Sequence, residues 1–327
     1  MMNKMILANL VHRPVRSLIS ILAIALEVTL ILLVVGLSVG ILNDSRERNA
    51  GIGADVLVLP PGSSFIAGLT GAPMPIKVAQ VLQKLPQVKV VSPVITQVTT
   101  SGALEILAGI DINTYQQLSG PFRFLSGGPF QGPDDVIVDE IYAKSKNLKI
   151  GDTVQILNHG FRIAGIVEPG KGGRKFLQLS VLQDMIGAQN KASVFYLKLE
   201  NPAQADDVVR QIKAIPGMEN YVAASMANYI SMMTPSNYPG LSSFIKVVVG
   251  ISVIIGFIVI FQSMYTAVME RTREIGILES MGASKLYIVN VILRETVMLA
   301  IGGILVGIVV SLLGREAIVN RFPTLRV

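Results

Sequence analysis

No cysteine occurs among the 327 residues, which excludes disulfides, thiolate metal sites and a cysteine nucleophile. Histidine is nearly absent: His12 and His159 stand far apart, so no histidine-rich metal centre and no metal ligand set are expected. Charge is scarce as well. Only 15% of residues are Asp, Glu, Lys or Arg, where a soluble domain averages about 25%. The net charge is +6, but no basic cluster interleaved with aromatics accompanies it, so nucleic acid is not an expected partner. No nucleophile–base pair stands at motif spacing either, and Asp134, Asp135 and Asp139, close to a turn, read as solvated surface. Neither catalysis by this chain nor a cofactor is expected.

In place of charge the chain has apolar runs: 51% of it is hydrophobic, with a mean hydropathy of +0.56. Residues 1–17 carry Lys4, Arg13 and Arg16 and no acid, and residues 18–42 are apolar except for Glu27 and a few small polar residues. About twenty such residues cross a bilayer as a helix. The basic flank places the amino terminus in the cytoplasm, and the run is too long for the roughly 7–15-residue core of a cleaved signal. It reads as an uncleaved anchor. Glu27 lies inside this span, where a lipid-facing carboxylate costs roughly 2.5–3.5 kcal/mol on insertion scales, so it is expected to face other helices. With no visible acid or base beside it, it reads as a packing or hydrogen-bonding residue, with a proton relay as the alternative. Gly36-x-x-x-Gly40 permits close helix approach.

Two more spans follow late in the chain, at 247–268 and 296–313. The third holds Gly302, Gly303 and Gly307, again small residues suited to helix packing. The expected multi-pass order is out, in, out, with residues 269–295 cytoplasmic and a tail at 314–327.

Residues 43–243 then form one extracytoplasmic domain, nearly neutral at 17 Lys and Arg against 16 Asp and Glu. Strands are expected at 55–59, 88–91, 94–100, 104–110, 136–138, 153–157, 161–167 and 194–199. Helices are expected at 76–85, 113–118, 140–145, 179–186 and 203–215, and Asn158-His159-Gly160 signals a hairpin. Mixed elements in this order imply an α+β domain. Gly165-Ile166-Val167-Glu168-Pro169-Gly170-Lys171 matches the first seven positions of a phosphate-binding loop. The next residue is Gly172 where Ser or Thr is needed, and a helix is disfavoured after it. It reads as a glycine-rich loop after a strand.

The most specific stretch lies between the second and third spans: Glu270-Arg271-Thr272-Arg273-Glu274-Ile275-Gly276-Ile277-Leu278-Glu279-Ser280-Met281-Gly282-Ala283-Ser284. Ile275, Leu278 and Met281 recur every three residues and form one apolar side of a helix. Arg271 and Glu274 can share a face, and Gly282 is a helix stop. The stretch resembles the E-R-T-R-E-I-G-I-L-x-x-x-G-A-S signature of the MacB/FtsX-type ABC transporter permeases. The order Gly109-Ile110-Asp111, Asp135-Val136-Ile137-Val138, Leu148 to Val154 and Phe161 to Glu168 is similar to the periplasmic domain of the same family.

The resemblance implies an α-helical transmembrane bundle with an α+β extracytoplasmic domain in the cytoplasmic (inner) membrane. Glu270 to Leu278, with Gly282, Ala283 and Ser284, would be the coupling helix that docks on a separate ABC ATPase subunit. Family members work as dimers, so a second copy or a related permease is an implied partner. A periplasmic adaptor or membrane-fusion protein and membrane lipid are implied as well. The motion would serve export or lipoprotein, lipid or drug handling; the alternative is an FtsX-like regulator of a cell-wall hydrolase. Two positions depart from the family. Glu279 stands where a basic residue is common, and a fourth span is expected where this sequence stops, as a truncation or a three-span form.

Overall fold

The structure is a computed structural model describing residues 14–64, 71–99 and 105–321. Lys4, His12, Arg13, Gly68, Leu104 and Arg326 lie outside them. The described chain divides into two compact units, one of residues 14–39 and 240–320, the other mainly of residues 40–239.

The first unit is helical. Helix α1 (Pro14–Ala50) contributes its first part here and its last turns to the second unit. Within the described residues, three helices are long and apolar enough to cross a membrane, at Ser17–Ala50, Gly240–Glu270 and Lys285–Val319. The chain is a membrane protein with an α-helical spanning part and a mixed α/β outer part. The helices outrun the apolar stretches read from the sequence, because backbone hydrogen bonding continues into polar turns at their ends.

In the second unit, β1 (Val56–Leu59), β3 (Val88–Thr99), β4 (Glu105–Ile110), β5 (Phe124–Gly127), β6 (Asp135–Asp139), β7 (Thr153–Ile156), β8 (His159–Val167), β9 (Lys175–Gln178), β11 (Val194–Leu199) and β12 (Val222–Ser225) form one sheet. Its order is β12-β1-β11-β3-β4-β9-β6-β8-β5, with β7 beside β8. β4 runs parallel to β9 and β6 to β8; the other pairs are antiparallel. The short β2 (Met74–Pro75) pairs with β10 (Lys191–Ala192) away from this sheet.

Both faces of the sheet are covered, which explains why β1 is a run of four buried aliphatics. Leu57 and Leu59 point into a core with Tyr115, Phe122 and Phe176. Val56 and Val58 point the other way, against Phe195, Val208 and Ile212. A third core gathers Ile95, Leu107, Phe161, Ile163 and Leu182.

The helices of this unit are α2 (Val78–Leu82), α3 (Ile112–Ser119), α4 (Glu140–Lys146), α5 (Leu179–Met185), α6 (Ala205–Lys213) and α7 (Met226–Ser231). Carboxylates start two of them. Asp111 accepts from the N–H groups of Asn113 (2.9 Å) and Thr114 (3.4 Å), and Asp139 accepts from that of Tyr142 (2.7 Å). Residues 88–99 form one strand through Pro93, where two separate strands are expected from the sequence. Pairing with β4 begins only at Val94, so the missing N–H interrupts no second ladder. The hairpin at Asn158 is present, but its turn is Leu157–Asn158, both at positive φ, and His159 and Gly160 already belong to β8.

Candidate functional site

The segment between the second and third spanning helices is built by two breaks. Helix α8 (Pro239–Glu270) ends where Arg271 leaves helical geometry (φ −113°, ψ 16°). The Thr272 hydroxyl donates toward the Val268 and Met269 carbonyls at 3.2 and 2.9 Å and so serves the last turn of α8. Helix α9 (Thr272–Ser280) follows. It stops at Gly282, φ +93°, whose N–H donates to the Glu279 carbonyl while that of Ala283 donates to Leu278. Ser284 then opens α10 (Lys285–Arg321): its carbonyl accepts from Tyr287 and Ile288, and its hydroxyl accepts from Tyr287 N–H.

No residue of α9 is buried. Ile277, Leu278 and Met281 are exposed, Met281 at 71%, and Leu286 just beyond is 82% exposed. Glu270, Arg273, Glu274 and Gly276 are exposed around them, and Ile275 is half-buried. The segment therefore presents an apolar strip edged by charge.

Arg271 is the exception among the charged residues. Its guanidinium grips Glu295 of α10 with Nη1–Oε2 at 2.8 Å and Nη2–Oε1 at 3.3 Å. The side chains are 14% and 4% exposed. A shared face with Glu274 is thus not the contact Arg271 makes. The partner is 24 residues further on, beyond the reach of any helical-spacing argument.

Within the helical unit, Gly303 and Gly307 lie against α1. A Cβ at Gly303 would stand 2.6 Å from Ile24 Cβ, and one at Gly307 2.8 Å from the Ala25 carbonyl oxygen and Val28 Cβ. Thr29 donates to the Gly307 carbonyl at 3.1 Å, and Ser20 and Ser263 hydroxyls meet at 3.1 Å. The Glu27 carboxylate lies over Gly256 of α8, where a Cβ would come within 2.7 Å of Oε2. Gly36 and Gly40 are half-buried on α1.

In the outer unit, the acids expected at the surface are not all there. Asp134 is exposed and meets His159 Nε2 at 2.7 Å. Asp135 and Asp139 are buried, at 2% and 1%. Asp135 accepts from the N–H groups of Gln131 (2.6 Å) and Gly132 (2.9 Å) and from Arg162 at 2.9 and 3.0 Å. Burial pushes its carboxyl up, but these donors outweigh burial and hold it below the usual carboxylate range. For Asp139 burial prevails and the pKa is raised, although Arg174 and the Tyr142 N–H oppose it.

Arg174 joins two carboxylates far apart in sequence: Nη1 reaches Asp139 Oδ2 at 3.0 Å and Nη2 reaches Asp44 Oδ2 at 2.9 Å. Asp44 also pairs with Arg48 one turn along α1. The glycine-rich loop sits beside them and receives the end of α1. Gly172 N–H donates to the Arg48 carbonyl at 2.9 Å, and a side chain at Gly51 would strike the Gly170 carbonyl oxygen. Lys171 donates to the Ser119 carbonyl at 3.0 Å, and burial lowers its pKa. The loop leads into strand β9 and not into a helix, so it is no phosphate cradle. Among the described residues no group of three or more His, Asp or Glu is placed to hold a metal.

The family models agree with this layout. The MacB-like periplasmic core domain model matches residues 17–215 and the FtsX-like permease C-terminal model residues 246–325. A macrolide export ATP-binding/permease protein MacB of a Shewanella species is 24% identical over 333 residues, covering 94% of this chain and 51% of the relative. An uncharacterised ABC transporter permease of Methanocaldococcus jannaschii is 24% identical over 181 residues, 53% of this chain and 45% of its own. The chain thus spans about half the length of the curated relatives it matches. The periplasmic region of MacB from Actinobacillus actinomycetemcomitans has a solved structure that is 18% identical. It covers 56% of this chain and 94% of its own, with a TM-score of 0.44. With a MacB-like periplasmic core domain followed by an FtsX-like permease region, the chain belongs to the MacB/FtsX-type ABC transporter permeases.

Proposed function

We propose that this chain is the permease subunit that a separate ABC ATPase drives, with α9 and its flanks as the docking element. The observation that carries this reading is α9 itself. Between two membrane-length helices it has no fully buried residue and offers Ile277, Leu278 and Met281 beside Arg273 and Glu274. An apolar strip edged by charge suits a protein partner, with the apolar centre supplying affinity and the charged rim selecting the partner. Glu270, Thr272, Gly276, Ala283 and Ser284 complete the element.

In this reading the amino terminus and residues 269–295 are cytoplasmic, and residues 43–243 lie outside the inner membrane. The ATPase does work by binding two states of the permease with different affinity, and the spans pass the change to the outer domain. That motion serves export or the handling of lipoprotein, lipid or drug. A second copy or a related permease, an outer adaptor and membrane lipid complete the assembly. Gly36 and Gly40 are the small residues at which a neighbouring span can approach. Co-isolation of an ABC ATPase with the chain, and its loss on joint charge reversal by Arg273→Glu and Glu274→Lys, tests the reading.

A further inference from the structure

We infer that Arg271 and Glu295 are positioning residues: their ion pair clamps the base of the α9 segment onto α10 and fixes the angle at which α9 is held. The role assigned to α9 rests on the docking reading above, but the clamp rests on this pair alone.

Packing alone does not fix α9: none of its residues is fully buried, and only Ile275 is half-buried. Its carboxyl end is set by Gly282 and Ser284, a turn of a few residues with backbone hydrogen bonds. Its amino end begins at Arg271, where the chain has left α8 and has non-helical geometry. A break of this kind is a hinge unless something spans it. Arg271 spans it. The planar guanidinium meets the carboxylate through two nitrogens and both oxygens. That geometry fixes direction as well as distance, which a single-point ammonium contact does not.

Glu295 lies ten residues into α10, about 15 Å along its axis from Lys285 at 1.5 Å per residue. The clamp therefore closes the whole excursion from α8 to α10 at its base. Both side chains are withdrawn from water, at 14% and 4% exposed, and truncating either one breaks a two-point contact made away from bulk solvent. Arg271, grouped by sequence with the docking residues, thus acts through Glu295 and not on a partner protein.

The cysteine-free chain permits a direct test. Spin labels on Gly276→Cys, where a side chain meets nothing within 4 Å, and on exposed Leu293→Cys report the distance from α9 to α10. They are read in the full-length chain in lipid nanodiscs. A second pair on exposed Ile19→Cys and Phe257→Cys reports the α1–α8 packing.

The parent chain is expected to give one narrow distance distribution for each pair. Arg271→Gln and Glu295→Gln should each broaden the 276–293 distribution about twofold and leave 19–257 unchanged. The exchange Arg271→Glu with Glu295→Arg should narrow it again. A narrow 276–293 distribution in both single variants overturns the clamp. So does joint broadening of both pairs that the exchange fails to reverse, because the contact would then hold the bundle and not the segment. Absence of an ATPase from the isolated chain refutes the docking reading and leaves these distances untouched, so the two failures are distinguishable.

Discussion

Asp135 and Asp139 are four residues apart, begin and end the same strand, and respond to acid in opposite directions. The Asp135 pKa is lowered in the fold. Its stabilising contribution is therefore complete above the unfolded value of about 3.9 and is lost as pH falls through the folded value. The Asp139 pKa is raised, so its charge costs stability at neutral pH, and that cost is relieved as pH falls through the raised value. Asp135→Asn should destabilise the outer domain by about 1–3 kcal/mol at pH 7, the scale of removing a charged, hydrogen-bonded buried group. The gap from the parent should close below pH 4. Thermal melts of the full chain against pH check this; a gap independent of pH would contradict it. The sequence placed Asp134, Asp135 and Asp139 at the surface, which holds for Asp134 alone. The buried Asp135 and Asp139 have partners far along the chain: Arg162 is 27 residues from Asp135, and Arg174 is 35 from Asp139 and 130 from Asp44.

Elements were more legible than residues because their signals are local. Gly282 stops α9 as its sequence position implies, and the long apolar runs are helices. What failed was strand limits: two strands were expected at 88–91 and 94–100, yet one strand passes through Pro93, where only one neighbour is paired. The strand β9 was overlooked because Lys175 opens it and the glycines before it read as loop. Helix packing offers a sharp test at this scale. Gly303 and Gly302 are adjacent on α10, but a Cβ at 303 collides with Ile24 at 2.6 Å, whereas one at 302 makes an ordinary 3.6 Å contact with Ile21. Gly303→Ala should lower the Tm of the purified chain, at an overpacking cost of about 1–3 kcal/mol. Gly302→Ala should be tolerated. Equal behaviour of the two would refute close approach of α1 and α10 at this point.

At the scale of the whole molecule, the scarcity of charge announced a membrane protein, and the order of apolar runs announced a large domain between the first two spans. The mixed sheet follows from the alternation of strand and helix signals, but its strand order, with two parallel pairs among antiparallel ones, is set by contacts no local pattern encodes. Orientation is argued from basic residues near the amino terminus. Ser64 lies in the outer unit. Ser64→Cys, in a chain with no other thiol, should react with a membrane-impermeant maleimide added to intact cells or spheroplasts. Reaction only after membrane rupture would invert the topology.

The central claim is that a separate ATPase docks on the segment from Glu270 to Ser284. The most direct measurement is isolation of the chain from its native membrane in mild detergent, with co-isolated proteins identified by mass spectrometry. The chain carrying Arg273→Glu and Glu274→Lys is isolated in parallel. An ABC ATPase recovered with the parent chain, and reduced at least about tenfold with the reversed one while the outer domain stays folded, is the predicted result. Equal recovery with both would remove docking from α9, and no ATPase with either, under conditions that preserve other membrane complexes, would contradict the account.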